Sequence, residues 1–385
     1  EAHPAQWFHT QVNLGLVYRD RINGDAASNA EVSIRYFERA LEVGTREAKP
    51  HVWASLQAHL GDSHRFRAAG DAGLNTEEAI RYYEQALQAY SPPTEASAVA
   101  WATTWVKVGQ AYQVLLRGDI VAHKEASIYC YKQAVKVNTR TARPEPWAQI
   151  QQHLGHAYNS RISGDMGSNK EEAIRYFTRS LEVFTREAYP DGWAMTQLLV
   201  GTAYDARILG DAAFNKEEAI SHFEQALELY ERKDDRINCA RARMHLGDAY
   251  RTRINGDRVT NKQKSIRFSM LALQVYSRDE YPEEWAQLQL NLGNAYRTPA
   301  SDTPEDAFFD HTASIRCFVL ALQVYTRVAY PELWALTQSN LGIAYMRHTE
   351  GNLTTNLEDS IRCLKQALHV YALRTKRAAT WSCTV

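Results

Sequence analysis

The 385-residue chain is poor in the features that usually announce chemistry. It has five cysteines, Cys130, Cys239, Cys317, Cys363 and Cys383, an odd and scattered set that suits a reducing compartment better than a disulfide framework. No apolar run approaches the roughly 20 residues that span a bilayer. Neither sign of charge dominates. Forty-four basic and 45 acidic residues leave a formal net charge of -1, which argues against a general role on nucleic acid or on a membrane surface, since both favour a basic excess. No phosphate-binding loop and no Gly-x-Ser-x-Gly nucleophile motif occurs. His153 and His156 stand three apart, a possible metal pair, but no carboxylate or cysteine completes a ligand set at the right spacing. The expectation is a cytoplasmic protein that is not an enzyme, with no catalytic residue, no cofactor and no metal.

What the chain has is repetition. Trp147 to Pro190 reads as one complete helix–loop–helix unit. Trp147, Gln151, Leu154 and Tyr158 fall on one helical face. Gly155 interrupts that helix where glycine costs about 1 kcal/mol relative to alanine, so its recurrence suggests close approach by a neighbouring helix. Ser163-Gly164-Asp165 reads as a stop, with Gly164 suited to a left-handed C-cap. Asn169, with Glu172 three residues on, has the form of an N-cap and capping box. The second helix carries Ala173, Ile174, Phe177, Ser180, Leu181 and Phe184 on its apolar face. The spacing predicts helices over Trp147–Arg161 and Asn169–Arg186.

The glycine sets the register of eight repeats: Gly15, Gly61, Gly109, Gly155, Gly201, Gly247, Gly293 and Gly342. The steps are 46, 48, 46, 46, 46, 46 and 49 residues. The repeats run approximately over 7–52, 53–100, 101–146, 147–192, 193–238, 239–284, 285–333 and 334–380, and sixteen main helices follow. One hairpin cannot bury both of its faces, whereas stacked copies bury a continuous core. Cys130, Cys317 and Cys363 share one position of the second helix with Tyr36, Tyr82 and Tyr176, which marks them as packing residues. Gly-Asp pairs recur in six repeats, from Gly24-Asp25 to Gly256-Asp257, and read as hairpin architecture, with Asp165 accepting loop N–H groups or pairing with Arg161. Three stretches break the pattern: 91–100, 231–238 and 299–311. Basic residues thicken around the sixth repeat, from Arg232 to Arg253, with acids interleaved. They read as a self-paired surface or, alternatively, as a site for an anionic partner.

Leu154-Gly155, Tyr158, Ala173, Phe177, Ser180 and Pro190 fall in the order of the tetratricopeptide repeat, which the whole chain resembles. The departure is length, 46 residues against the usual 34. The long form, with Trp-Ala-x-x-Gln and Arg-Glu-Ala-Tyr-Pro, looks like repeats found beside CHAT protease domains. The resemblance implies an all-α, right-handed superhelical solenoid of eight helix-turn-helix units, a single domain over 1–385. It implies a non-catalytic scaffold or sensor that binds a protein or peptide segment in a concave groove lined by the first helices. The alternative is a regulatory or substrate-docking region of a multidomain enzyme such as a CHAT-type protease. Partners could include further repeats or an effector domain of the same polypeptide. Glu1-Ala2-His3-Pro4 matches the end of a preceding unit and Trp381 the start of a ninth, so the chain is expected to be a piece of a longer protein.

A stripe of each first helix at i, i+4, i+7 and i+11 varies and is mostly polar: His9, Asn13, Leu16 and Asp20 in the first repeat, Gln287, Asn291, Asn294 and Thr298 in the seventh. By resemblance this face lines the groove. Its second place is filled by Asn13, His59, Lys107, His153, Leu199, His245, Asn291 and Asn340. Amides and imidazoles there can hydrogen-bond an extended backbone. The candidate partner-binding residues are these without Leu199, together with His156 and Asn294. The lysine place of the family's carboxylate clamp is filled by residues such as Val12, Ala58 and Leu290. The expected ligand is therefore a largely uncharged segment.

Overall fold

The computed structural model describes residues 4–21, 25–90, 93–298 and 304–382. Gly24, Cys383 and the irregular stretches at 91–92 and 299–303 lie outside the described residues. Among those described, the chain forms sixteen α-helices and no strand. In the first half these are α1 (Pro4–Asp20), α2 (Ala26–Leu41), α3 (Pro50–Arg65), α4 (Ala72–Tyr90), α5 (Ala98–Val114), α6 (Ile120–Val135), α7 (Pro144–Asn159) and α8 (Met166–Ser180). The second half continues with α9 (Pro190–Asp205), α10 (Ala212–Arg232), α11 (Arg236–Arg251), α12 (Arg258–Leu273), α13 (Pro282–Arg297), α14 (Pro304–Ala321), α15 (Pro331–Arg347) and α16 (Leu353–Ser382). The contacts gather into two compact units, residues 1–196 and 197–385, with the boundary inside α9. Within each unit a helix packs on its sequence neighbours, and odd-numbered helices also touch the next odd-numbered helix, as α1 does α3 and α13 does α15. Contact restricted to near neighbours is the mark of a solenoid.

The packing stripe falls where the sequence puts it. Trp147, Gln151, Leu154 and Tyr158 are all buried. The register glycine is a seat for an aromatic ring. A Cβ on Gly155 would lie 2.4 Å from Cε1 of Phe177, and the same crowding recurs at Gly61 against Tyr83 and at Gly293 against Phe318. Cys130, Cys239, Cys317 and Cys363 are buried free thiols.

The loop departs from the sequence reading in one respect. Asn169 is not the N-cap of α8; the helix begins at Met166, and Asp165 caps it by accepting from Ser168 N at 2.7 Å. Asn169 lies one turn inside, buried, and its amide donates to Ser163 O at 2.9 Å. The aspartate wins because Gly164, at φ +78, turns the chain so that Asp165 stands extended at the helix entrance. The same division of labour recurs at Asp211 and Asn215 and at Asp257 and Asn261. Arg161 does not pair with Asp165 either. It reaches back to Glu125 of the preceding hairpin at 2.7 and 2.9 Å and to Asn169 Oδ1 at 3.3 Å. Arg253 repeats this on Glu217 and Asn261.

The observed ends of α7 and α8 fall before those expected. Pro144 suits the first turn of α7, where its missing N–H is no loss, and beyond Ser180 the bonds tighten to i→i−3 at Leu181, Glu182 and Val183. The irregular corner before α11 is a distinct device. Asp234 takes a left-handed φ of 54, and Asp235 caps α11 by accepting from Asn238 N at 3.0 Å.

Candidate functional site

The stripe proposed to line a groove sits on the first helices, and the glycine seats fix its height. Because each aromatic ring is pressed onto its own first helix, its other side is offered to the first helix of the next hairpin. The second stripe place lands there. His59 stacks on Phe37 with centroids 5.4 Å apart and planes at 18°, His153 on Tyr131 at 5.2 Å and 11°, and His245 on Phe223 at 5.0 Å and 15°. Lys107 Nζ lies 6.0 Å from the centre of the Tyr83 ring. A flat or cationic group over an aromatic face therefore gives this recurrence a packing cause that reading the sequence alone did not supply.

The structure divides the candidate residues by exposure. Asn13 and His156 are exposed; His59, Lys107, His153, His245 and Asn294 are half-buried; Asn291 and Asn340 are buried. Asn291 accepts from Gln287 Nε2 at 3.0 Å, and Tyr325 O–H donates to Gln287 Oε1 at 3.3 Å.

In the unit 1–196 these side chains form a linked polar row across α1, α3, α5 and α7. Its hub is Asp62, whose side chain is 13% exposed. Asp62 accepts from Lys107 Nζ at 2.6 Å, from Tyr83 O–H at 2.9 Å and from Arg19 Nη1 at 3.5 Å. Arg19 Nη1 also lies 2.8 Å from His59 Nδ1. Arginine has only donors, so Nδ1 accepts and the ring proton sits on Nε2, toward Ser55 Oγ at 3.4 Å. Burial first, then the charges of Arg19 and Lys107, push His59 down to about 4, and the ring is neutral at pH 7. Further along, Arg65 donates to Gln110 Oε1 at 2.9 Å, and Gln110 Nε2 donates to His153 Nε2 at 3.1 Å. Burial, then His156 and Arg65, push His153 down to about 4.

Asp62 as a hub, and the Arg161–Glu125 and Arg253–Glu217 clamps between hairpins, were not read from the sequence. A signal existed for the clamps. Arginine stands six residues after the register glycine in Arg67, Arg161 and Arg253, and glutamate sixteen after it in Glu31, Glu125 and Glu217. Each arginine meets the glutamate of the preceding repeat. The basic residues around the sixth repeat are largely self-paired: Arg232 with Glu228, Arg243 with Glu231, Arg251 with Asp248 and Arg253 with Glu217. Among the described residues no cluster of three His, Cys, Asp or Glu side chains is placed to hold a metal, and no helix is long and apolar enough to cross a membrane.

No family model and no curated protein matches the chain. Solved structures do. A Rap protein complexed with Competence and Sporulation Factor matches with a TM-score of 0.49 at 12% identity, over 97% of this chain and 99% of that one. A putative kinesin light chain of Podosopora anserina, with nearly identical TPR-like repeats, matches with a TM-score of 0.46 at 14% identity, over 61% of this chain and 99% of that one. Cut9–Hcn1, an APC/C hetero-tetramer, matches with a TM-score of 0.39 at 14% identity, over 95% and 71% of the two chains. At these identities and scores the likeness says nothing of what the chain binds.

Proposed function

We propose that the chain is a non-catalytic docking scaffold that receives a protein or peptide segment against the face of its first helices. The observation that carries the reading is the polar row of the unit 1–196. Its donors and acceptors are fixed by bonds from one hairpin to the next, Arg19 to His59 and Asp62, Lys107 to Asp62, and Arg65 through Gln110 to His153. Side chains held in this way lose little freedom when they bind, which favours recognition of an extended backbone. Arg19 pairs with Asp20 as well as Asp62, and Lys107 pairs with Asp62, so charge along this part of the row is satisfied within it and an uncharged segment suits this part of the face. Asn13, His59, Lys107, His153, His156, His245 and Asn294 are the residues proposed to meet it, with Asn291 and Asn340 supporting from beneath. If the chain serves a larger enzyme, for example a CHAT-type protease, the same face is its docking face.

The test uses a peptide selected for binding to the full chain. Asn13→Ala, Lys107→Ala and His156→Ala combined should weaken it about tenfold or more, as loss of two or three polar contacts does. An unchanged dissociation constant, with the fold intact by circular dichroism, would place the partner elsewhere.

A further inference from the structure

Among the described residues, the unit 197–385 holds two arginines, Arg297 and Arg347, whose side chains meet no acid. In the unit 1–196, the arginine four residues after the register glycine reaches the residue just after the glycine of the next hairpin: Arg19 meets Asp62 and Arg65 meets Gln110. In this register Arg251 should meet Asn294 and Arg297 should meet Ile343. Arg251 turns instead to Asp248 in its own helix, at 2.6 Å. Ile343 has nothing to accept with. Among the described residues, half-buried Arg297 has no ion-pair or hydrogen-bond partner for its side chain, and neither has Arg347, exposed at the end of α15.

His311 of α14 joins them. It is 8% exposed, and its Nδ1 has no hydrogen-bond partner. The basic groups facing it come from three other helices and a loop: Arg297 on α13, Arg347 on α15, Lys262 on α12 and His348 just past α15. Lys262 and His348 have bonds of their own; for His348 these include Thr312 at 3.1 Å and Glu350 at 4.0 Å. Burial first, then Arg347 and Arg251, push Arg297 down, as expected for a desolvated guanidinium near others of like charge. A desolvated, unpaired arginine is costly unless something outside the fold answers it.

We infer that Arg297, Arg347 and His311 receive an oxyanion, a carboxylate or a phosphate, carried on an acidic segment of a protein partner. Two guanidinium groups and an imidazole supply the kinds of donor that such groups accept. The inference rests on the docking reading above and gives it a chemical class. These positions are not those of the family's carboxylate clamp, whose lysine place here holds Leu290 and Ser339.

The experiment measures fluorescence anisotropy of two labelled peptides with the full chain, a hexaglutamate and a phosphoserine peptide of the same length, at about 0.15 M salt. Binding should be detectable, and should weaken about tenfold or more when Arg297→Gln and Arg347→Gln are combined. Arg232→Gln, the loss of a charge at a residue paired with Glu228, should leave it unchanged. The tighter of the two peptides identifies the oxyanion. His311→Gln supplies a second variant should the double one fail to fold, and it should weaken binding about threefold, as loss of one neutral hydrogen bond does. The inference falls if neither peptide binds, if the double variant behaves like Arg232→Gln, or if a single-stranded oligonucleotide displaces either peptide at lower concentration. Glu305, Asp306 and Asp310 precede His311 in sequence. If only their amide variants bind the peptides, the site serves the chain's own acids and the partner version is wrong. A peptide selected on the row around Asp62 that still binds while both acidic peptides fail would leave the docking reading standing and remove this one alone.

Discussion

The two units carry the same arginine in the same register and treat it differently. In residues 1–196, Arg19 and Arg65 find acceptors on the next first helix, and one half-buried carboxylate, Asp62, gathers a lysine, an arginine and a tyrosine hydroxyl. In residues 197–385, Arg251 is held within its own helix, and Ile343 stands at the register place where Arg297 would find an acceptor. A glycine seat differs as well, although Gly201 and Gly293 of the second unit lie under rings. Gly155 lies under the buried ring of Phe177, whereas Gly247 faces the small Ser269. A repeat architecture fixes where side chains meet. It leaves open whether the meeting is satisfied, and one changed residue per hairpin decides that.

The comparison can be broken at its strongest point. Asp62→Ala should destabilise the unit 1–196 by about 3 kcal/mol, because it strands Lys107 and the Tyr83 hydroxyl without an acceptor, while Arg19 keeps Asp20. Urea melts followed by hydrogen exchange over residues 50–110 would show it; a loss below about 1 kcal/mol would mean that Asp62 is no hub. The seats give a second contrast. Gly155→Ala should cost about 1–3 kcal/mol, since Phe177 is 2% exposed and has nowhere to move, while Gly247→Ala should cost less because the Ser269 hydroxyl can rotate away. Equal costs in denaturant melts would refute the ring-on-glycine account.

Acid should act through the stacked histidines. His59 and His153 have folded values of about 4 against an ordinary 6.5, so the unfolded chain binds more protons between those limits. Stability is then full above pH 6.5 and falls as pH drops from there toward 4, by up to about 3 kcal/mol for each ring. His59→Gln with His153→Gln should flatten that slope in residues 1–196; a slope unchanged by both substitutions would mean that the rings are not the groups protonated. At the loop, Asp165→Ala should cost about 1 kcal/mol through loss of the cap. Asn169→Ala should cost about the same or more, by freeing Ser163 O and Arg161. Equilibrium melts in which only Asp165 mattered would show the buried amide to be idle. The smallest effect is the most telling for the comparison. Arg297→Gln should leave stability unchanged or raise it by up to about 1 kcal/mol, because the charge it removes has no partner. A clear loss of melting temperature would show that Arg297 is paired after all.

The sequence alone determined the all-helical repeat, the glycine register, the buried stripe of Trp147, Leu154 and Tyr158, and the packing role of the cysteines. These rest on periodicity and spacing, which are properties of the chain itself and are reinforced each time the unit recurs. It misplaced the cap by four residues, because asparagine and aspartate both cap helices, and only the left-handed turn at Gly164 decides which one stands at the entrance. It named the stripe of His59, His153 and His245 but not what those rings rest on. Which side chains of one hairpin reach the next depends on how far apart the hairpins stack and how they turn, and no local spacing encodes that. The satisfied charge around Asp62 and the unsatisfied charge around Arg297 are therefore decided only in the tertiary structure, where residues 45 and more apart in sequence meet or fail to meet.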